Sequence, residues 1–97
     1  MYKIVIQNEA KDDVRQARKW YNQQQNGLGR RFSADLKNTL LSISANPLAF
    51  AVRYSVHSKA NLKIFPYDVF FFIDAMDNTA YVVSVMHNSR DNIDLLV

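Results

Sequence analysis

The chain has 97 residues, 48% of them hydrophobic, and a formal net charge of +3. That length suits one domain around one core, and that apolar share argues against disorder. It has no cysteine, which excludes a disulfide framework and a thiolate metal site and suits a reducing, cytoplasmic setting.

Residues 1–7, MYKIVIQ, are too short and too early charged for a signal peptide. No apolar run approaches the ~18 residues of a membrane span, so no membrane association is expected. The β-branched Ile4, Val5 and Ile6 predict a strand over residues 2–7. Asn8 then reads as a helix N-cap, with Glu9, Asp12 and Asp13 where the helix dipole favours anions. Ala10, Val14, Ala17 and Tyr21 recur at spacings of four, three and four and form one helical face, with Trp20 beside it. Asn26-Gly27 stops this helix, since glycine accepts the left-handed backbone of a helix end.

A second helix follows at once. Leu28, Phe32, Leu36, Leu40 and Ile43 make its apolar stripe, Gly29 lies in its first turn, and Asn46-Pro47 ends it, because the residue before proline avoids the helical region. So short a connection forces an antiparallel helical hairpin. Its five large apolar residues, at about 1.5–3 kcal/mol each when fully buried, supply the energy that docks it on the remaining chain.

From Phe50 the pattern turns to period two. Residues 50–56 predict a strand and residues 61–65 a weaker one. Residues 68–74 predict the strongest, with Val69, Phe71 and Ile73 on one face and Phe70 and Phe72 on the other. Residues 75–79 are turn chemistry, with Asn78 able to take a positive φ, and residues 80–86 return as the second arm of a hairpin. The tail, 91–97, is a short helical turn or a frayed end. The expected fold is α+β: an N-terminal strand, then an antiparallel helical hairpin packed on a C-terminal antiparallel sheet of three to four strands, all in a single domain over 1–97.

Charge is unevenly distributed. Residues 36–67 contain no acid, yet hold Lys37, Arg53, His57, Lys59 and Lys63. Two readings stand: a solvated basic surface, or a patch for phosphates or an acidic protein. Two histidines thirty residues apart make no recognisable metal-ligand set, and there is neither a phosphate-cradling glycine loop nor a nucleophile motif. No metal and no cofactor are expected.

Several motifs in order resemble the RelE/ParE superfamily, the toxins of type II toxin–antitoxin modules. They are Glu9-Ala10-Lys11-Asp12-Asp13 leading the first helix, Trp20-Tyr21 near its end, and Gly27-Leu28-Gly29-Arg30-Arg31-Phe32 at the helix turn. Asn46-Pro47, Phe65-Pro66-Tyr67 and His87-Asn88-Ser89-Arg90-Asp91 complete the set. The last two look more like the branch of ParE-like or plasmid stabilisation proteins. The resemblance implies the compact α+β toxin fold, a cognate antitoxin, a possible toxin–antitoxin hetero-oligomer, and one of two targets. One branch of the family poisons DNA gyrase, the other cleaves messenger RNA on the ribosome, and some members have no established target.

RNA cleavage needs a base for the 2′-hydroxyl, cations for the phosphorane and an acid for the leaving oxygen. The candidates here are His87 as base, Arg90 as phosphate clamp and Tyr67. The bland alternatives are a His87 that caps a strand end, an Arg90 paired with a neighbouring acid, and a Tyr67 that only packs. The C-terminal tyrosine of ribosome-dependent relatives has no counterpart among the last seven residues, and Ile64 stands where relatives often carry Arg. Both departures favour a toxin that acts by binding. Its expected partner-contact residues are Arg53, Lys59 and Lys63 for charge and Phe70, Phe72 and Trp20 for apolar anchoring. Trp20 also reads as plain packing, and Arg30-Arg31 as a solvated helix start or a further contact. The leading expectation is gyrase inhibition by a toxin that an antitoxin neutralises. Beside it stand a metal-independent ribosome-dependent endoribonuclease and a non-toxic antitoxin-binding protein.

Overall fold

A computed structural model describes residues 1–50, 52–54 and 56–89, with 52–54 described by their backbone. The elements run β1 (Lys3–Ile6), α1 (Asn8–Gln24), α2 (Leu28–Ala45), a short 3₁₀ turn (Pro47–Ala49), β2 (Val52–Tyr54), β3 (His57–Asn61), β4 (Tyr67–Asp74) and β5 (Thr79–His87). The strands form one sheet in the order β1-β5-β4-β3-β2. Strands β2 to β5 are antiparallel neighbours, and β1 adds to the open side of β5 in parallel. The expected antiparallel sheet with a helical hairpin on it is therefore present, and the N-terminal strand is its fifth member. The expected tail at 91–97 lies outside the described residues.

The helices form where the apolar stripes predict. Ala10, Ala17 and Tyr21 of α1 and Phe32, Leu36 and Ile43 of α2 are buried, with Val14, Leu28 and Leu40 packed at the margin. They meet Val69, Phe71, Ala80, Val82 and Val85 of the sheet. Gly27, at φ 87°, makes the left-handed turn between the helices. Gly29 is needed for a different reason: a Cβ there would sit 2.7 Å from the Arg18 carbonyl oxygen and 2.8 Å from the Asn22 side chain. This close approach lets Asn22 Oδ1 accept the Gly29 N–H at 2.8 Å, so one helix caps the other.

Two sequence expectations change. Asn8 is not the N-cap but the first helical residue, and Gln7 occupies the cap with no side-chain hydrogen bond. Gln7 is still tied to the sheet, its N–H donating to Val82 O while its carbonyl accepts from Lys11 N–H, so the chain turns from strand to helix within one residue. Of the strand expected over 50–56, the described residues show Val52–Tyr54. The strand expected over 61–65 lies earlier, as His57–Asn61, and residues 62–66 form a turn. The cause is Asp35, a buried α2 residue only 3% exposed. Its carboxylate accepts backbone N–H bonds from Ile64 and Phe65 at 2.9 Å and from Lys63 at 3.3 Å. Backbone donors captured by a side chain are not available to a neighbouring strand.

Residues 67–74 and 79–87 form the expected hairpin, with Asn78 at φ 54° in its turn. Asp74 Oδ1 accepts the N–H groups of Met76 and Asp77, which closes that turn. The hairpin register slips by one residue: Phe70 faces Ser84, but Phe71 faces Val82. Val83 is thus a bulge on β5. Beyond it the alternation of β5 reverses, so Val82 and Val85, three residues apart, both reach the core.

Candidate functional site

The bulge decides what lies at the end of β5. Alternation counted from Ala80 and Val82 would send His87 to the face away from the helices. With Val83 as the extra residue, His87 pairs with Tyr67 on the helix side, their rings 5.3 Å apart and edge to face. Asp13 of α1 fixes the same spot, its Oδ2 accepting the Val85 N–H at 3.0 Å. The result is a cleft of about 460 Å³ between α1 and the ends of β4 and β5. Its walls include Asp13, Gln16, Trp20, Tyr67, His87 and Ser89.

An aromatic cluster supports the cleft. Tyr21 lies between Trp20 at 5.0 Å, Phe65 at 4.8 Å, Phe32 at 5.6 Å and Tyr67 at 6.1 Å. Burial pushes the Tyr21 phenol above its ordinary pKa, and the neighbouring Tyr67, through its charge and a side-chain hydrogen bond, pushes it further the same way. Trp20 is nevertheless 54% exposed, so one face of α1 ends in a large accessible ring.

His87 is tied to Ser89. The Ser89 backbone N–H donates to Nδ1 at 3.2 Å, and the Ser89 hydroxyl lies 2.8 Å from the same nitrogen. Pro66 O accepts the Asn88 N–H at 2.9 Å and ties this segment to the turn before β4.

The other expected site residues are spread over the molecule. Arg90 lies outside the described residues, as does the side chain of Arg53, whose backbone is in β2. Lys59 and Phe72 are half-buried on the sheet face away from the helices. Lys59 Nζ is 3.9 Å from Asp68 Oδ2, and Asp68 Oδ1 accepts from Asn61 at 2.6 Å. Phe72 stacks on Tyr81 at 5.1 Å and meets the His57 ring edge at 5.8 Å. Phe70 is 1% exposed. Lys63 is exposed in the turn that Asp35 holds. The structure therefore joins Trp20, Tyr67 and His87 around one cleft and leaves Lys59 and Phe72 on the opposite face. Gln16 and Asp35 were not singled out from sequence, and Asp13 and Ser89 entered only as members of motifs, with no site role. For Asp35 a signal was present: it falls on the buried side of α2, between Phe32 and Thr39, where a charge needs a specific partner. Among the described residues no group of three metal-ligating side chains comes together, and no helix is long and apolar enough to cross a membrane.

Known proteins share this architecture. A search of curated sequences gives no match. Among solved structures, the chromosomal ParDE toxin–antitoxin system from P. aeruginosa superposes with a TM-score of 0.76 at 12% identity, covering 90% of this chain and 96% of that one. The isolated E. coli RelE toxin superposes with a TM-score of 0.65 at 16% identity, covering both chains fully. The intact E. coli RelBE toxin–antitoxin complex gives 0.65 at 19% identity, covering 88% of this chain and 94% of that one. At such identities these likenesses establish the fold. The sequence itself goes further, since the family profile described as the ParE toxin of the type II toxin–antitoxin system parDE matches residues 4–92. The chain belongs to this ParE toxin family, within the RelE/ParE superfamily.

Proposed function

We propose that this chain is a cytoplasmic toxin that acts by binding, is neutralised by a cognate antitoxin, and takes DNA gyrase as its target. The observation that carries this reading is the ParE profile match over residues 4–92. The higher TM-score to the ParDE system than to RelE supports the same side of the superfamily. The antitoxin partner is supported by relatives whose structures are toxin–antitoxin complexes. Partner contacts fall first to residues with accessible surface: Trp20, Lys63, Phe72 and Lys59.

A second reading has one specific observation behind it. Tyr67 and His87 stand side by side at a cleft, the sort of pair that could serve acid–base chemistry on RNA. Two assays on the purified protein separate the readings. We expect dose-dependent inhibition of gyrase supercoiling, relieved by the antitoxin, and intact messenger RNA on translating ribosomes. Ribosome-dependent cleavage with unaffected supercoiling would reverse the assignment.

A further inference from the structure

A second cavity, of about 370 Å³, lies at the turn of the α1–α2 hairpin and shares no lining residue with the cleft at Tyr67 and His87. It is lined by Arg18, Asn22, Asn26, Gly27 and Arg30. Arg18 and Asn22 come from α1, and Arg30 from the first turn of α2. Residues 14–34 contain no acid but hold Arg15, Arg18, Lys19, Arg30 and Arg31. Arg15 is paired with Asp12 at 2.8 Å, whereas among the described residues neither Arg18 nor Arg30 makes an ion pair. Two cations that line one cavity with no acid between them repel each other, a cost that a bound anion removes.

Packing fixes this juxtaposition. At Gly29 the helices approach so closely that a Cβ would sit 2.7 Å from the Arg18 carbonyl oxygen, which sets Arg30 beside α1. The Gly29 N–H donates to Asn22 Oδ1 at 2.8 Å. An N–H faces only an acceptor, so this bond orients the Asn22 amide and leaves its Nδ2 as a donor. The Leu28 N–H donates to Gln25 O and the Arg31 N–H to Gly27 O, which closes the turn. The lining therefore holds guanidinium and amide donors and no carboxylate. Such a set suits an anion rich in acceptors, and the planar fork of arginine matches pairs of phosphate oxygens.

We propose that Arg18, Asn22 and Arg30 form a phosphate-binding site at the turn of the helical hairpin. Its ligand is a phosphoryl group, carried either by a small molecule such as a nucleotide or by a nucleic-acid backbone. Arg18 and Arg30 supply the charge and the paired donors, and Asn22 adds a donor whose direction Gly29 sets. The site stands on this cavity alone and does not depend on which target the toxin takes.

Calorimetric titration of the purified chain with pyrophosphate, and with a short DNA duplex at low and high salt, tests the site, with circular dichroism to confirm that each variant is folded. Arg18→Ala and Arg30→Ala should each weaken binding ~10-fold or more, the loss expected for one hydrogen bond to a charged group. Arg30→Lys keeps the charge without the fork and should recover only part of that loss. Asn22→Asp keeps an acceptor for the Gly29 N–H but puts negative charge in place of the Nδ2 donor. It should abolish binding while melting at least as high as wild type. Arg15→Ala removes an equal charge outside the cavity and should bind like wild type. Duplex binding lost in the Arg18 and Arg30 variants would assign the phosphate to a nucleic-acid backbone. Pyrophosphate binding with the same losses and no duplex binding would assign it to a small molecule. No binding of either probe, or binding that falls as much in Arg15→Ala as in Arg18→Ala and Arg30→Ala, would overturn the proposal.

Discussion

Asp35 shows how one residue can set the shape of a remote segment. It lies 28 to 30 positions before the three N–H groups it accepts, and no local propensity would link them. Asp35→Ala should leave those donors unpaired and cost about 3 kcal/mol, within the range for buried hydrogen bonds to a charged group. Urea unfolding checks this, with faster amide exchange at Ile64 and Phe65 as the local signature. His87 makes a contrasting case. Its Nδ1 is engaged by Ser89 and its ring packs on Tyr67, so its position is set by near neighbours. For a binding toxin, induced His87→Ala protein should arrest growth nearly as well as wild type. Complete loss of arrest from that change in a folded protein, with mRNA cleavage in the wild type alone, would favour the nuclease.

Among the elements, the α1–α2 hairpin and the β4–β5 hairpin each depend on one local irregularity. The helices approach closely at Gly29, where an added Cβ would collide with backbone at 2.7 Å. Gly29→Ala should therefore cost about 1–3 kcal/mol through overpacking, even though alanine is the better helix former. Gly27→Ala meets no atom within 4 Å but keeps φ at 87°, so its cost of about 1 kcal/mol comes from the backbone alone. A thermal-melt comparison of the two variants checks the order. In the strand hairpin, the Val83 bulge reverses the faces of β5 and brings His87 to Tyr67. The bulge thus builds one wall of the cleft, a role such bulges often have near strand ends.

At the scale of the whole molecule, stability should respond to alkaline pH through Tyr21. Its phenol is raised above 10.0 in the folded state, chiefly by burial and further by Tyr67. Between the unfolded and folded pKa values the folded chain holds the extra proton. This contribution is therefore fully present below about pH 10 and is lost as pH rises through the folded value. Urea midpoints measured from pH 8 to 11 should fall more steeply for wild type than for Tyr21→Phe. Equal slopes would remove Tyr21 as the cause.

The sequence by itself determined the elements whose signal is local. The apolar stripes of α1 and α2 recur at helical spacing, Gly27 marks their turn, and the run at 68–74, apolar on both faces, reads as the strongest strand. The motifs from Glu9 to His87 were enough for a resemblance to the superfamily. Tertiary structure decided what depends on partners distant in sequence. It brought β1 in parallel to β5, because a four-residue strand cannot declare its neighbour. It moved a strand from 61–65 to His57–Asn61, because Asp35 captured the N–H groups that a strand would have used. It set the face of His87, because one extra residue on β5 reverses a period of two. Side-chain spacing carries local conformation well, but pairing register and captured backbone donors are properties of contacts that exist only once the chain has folded.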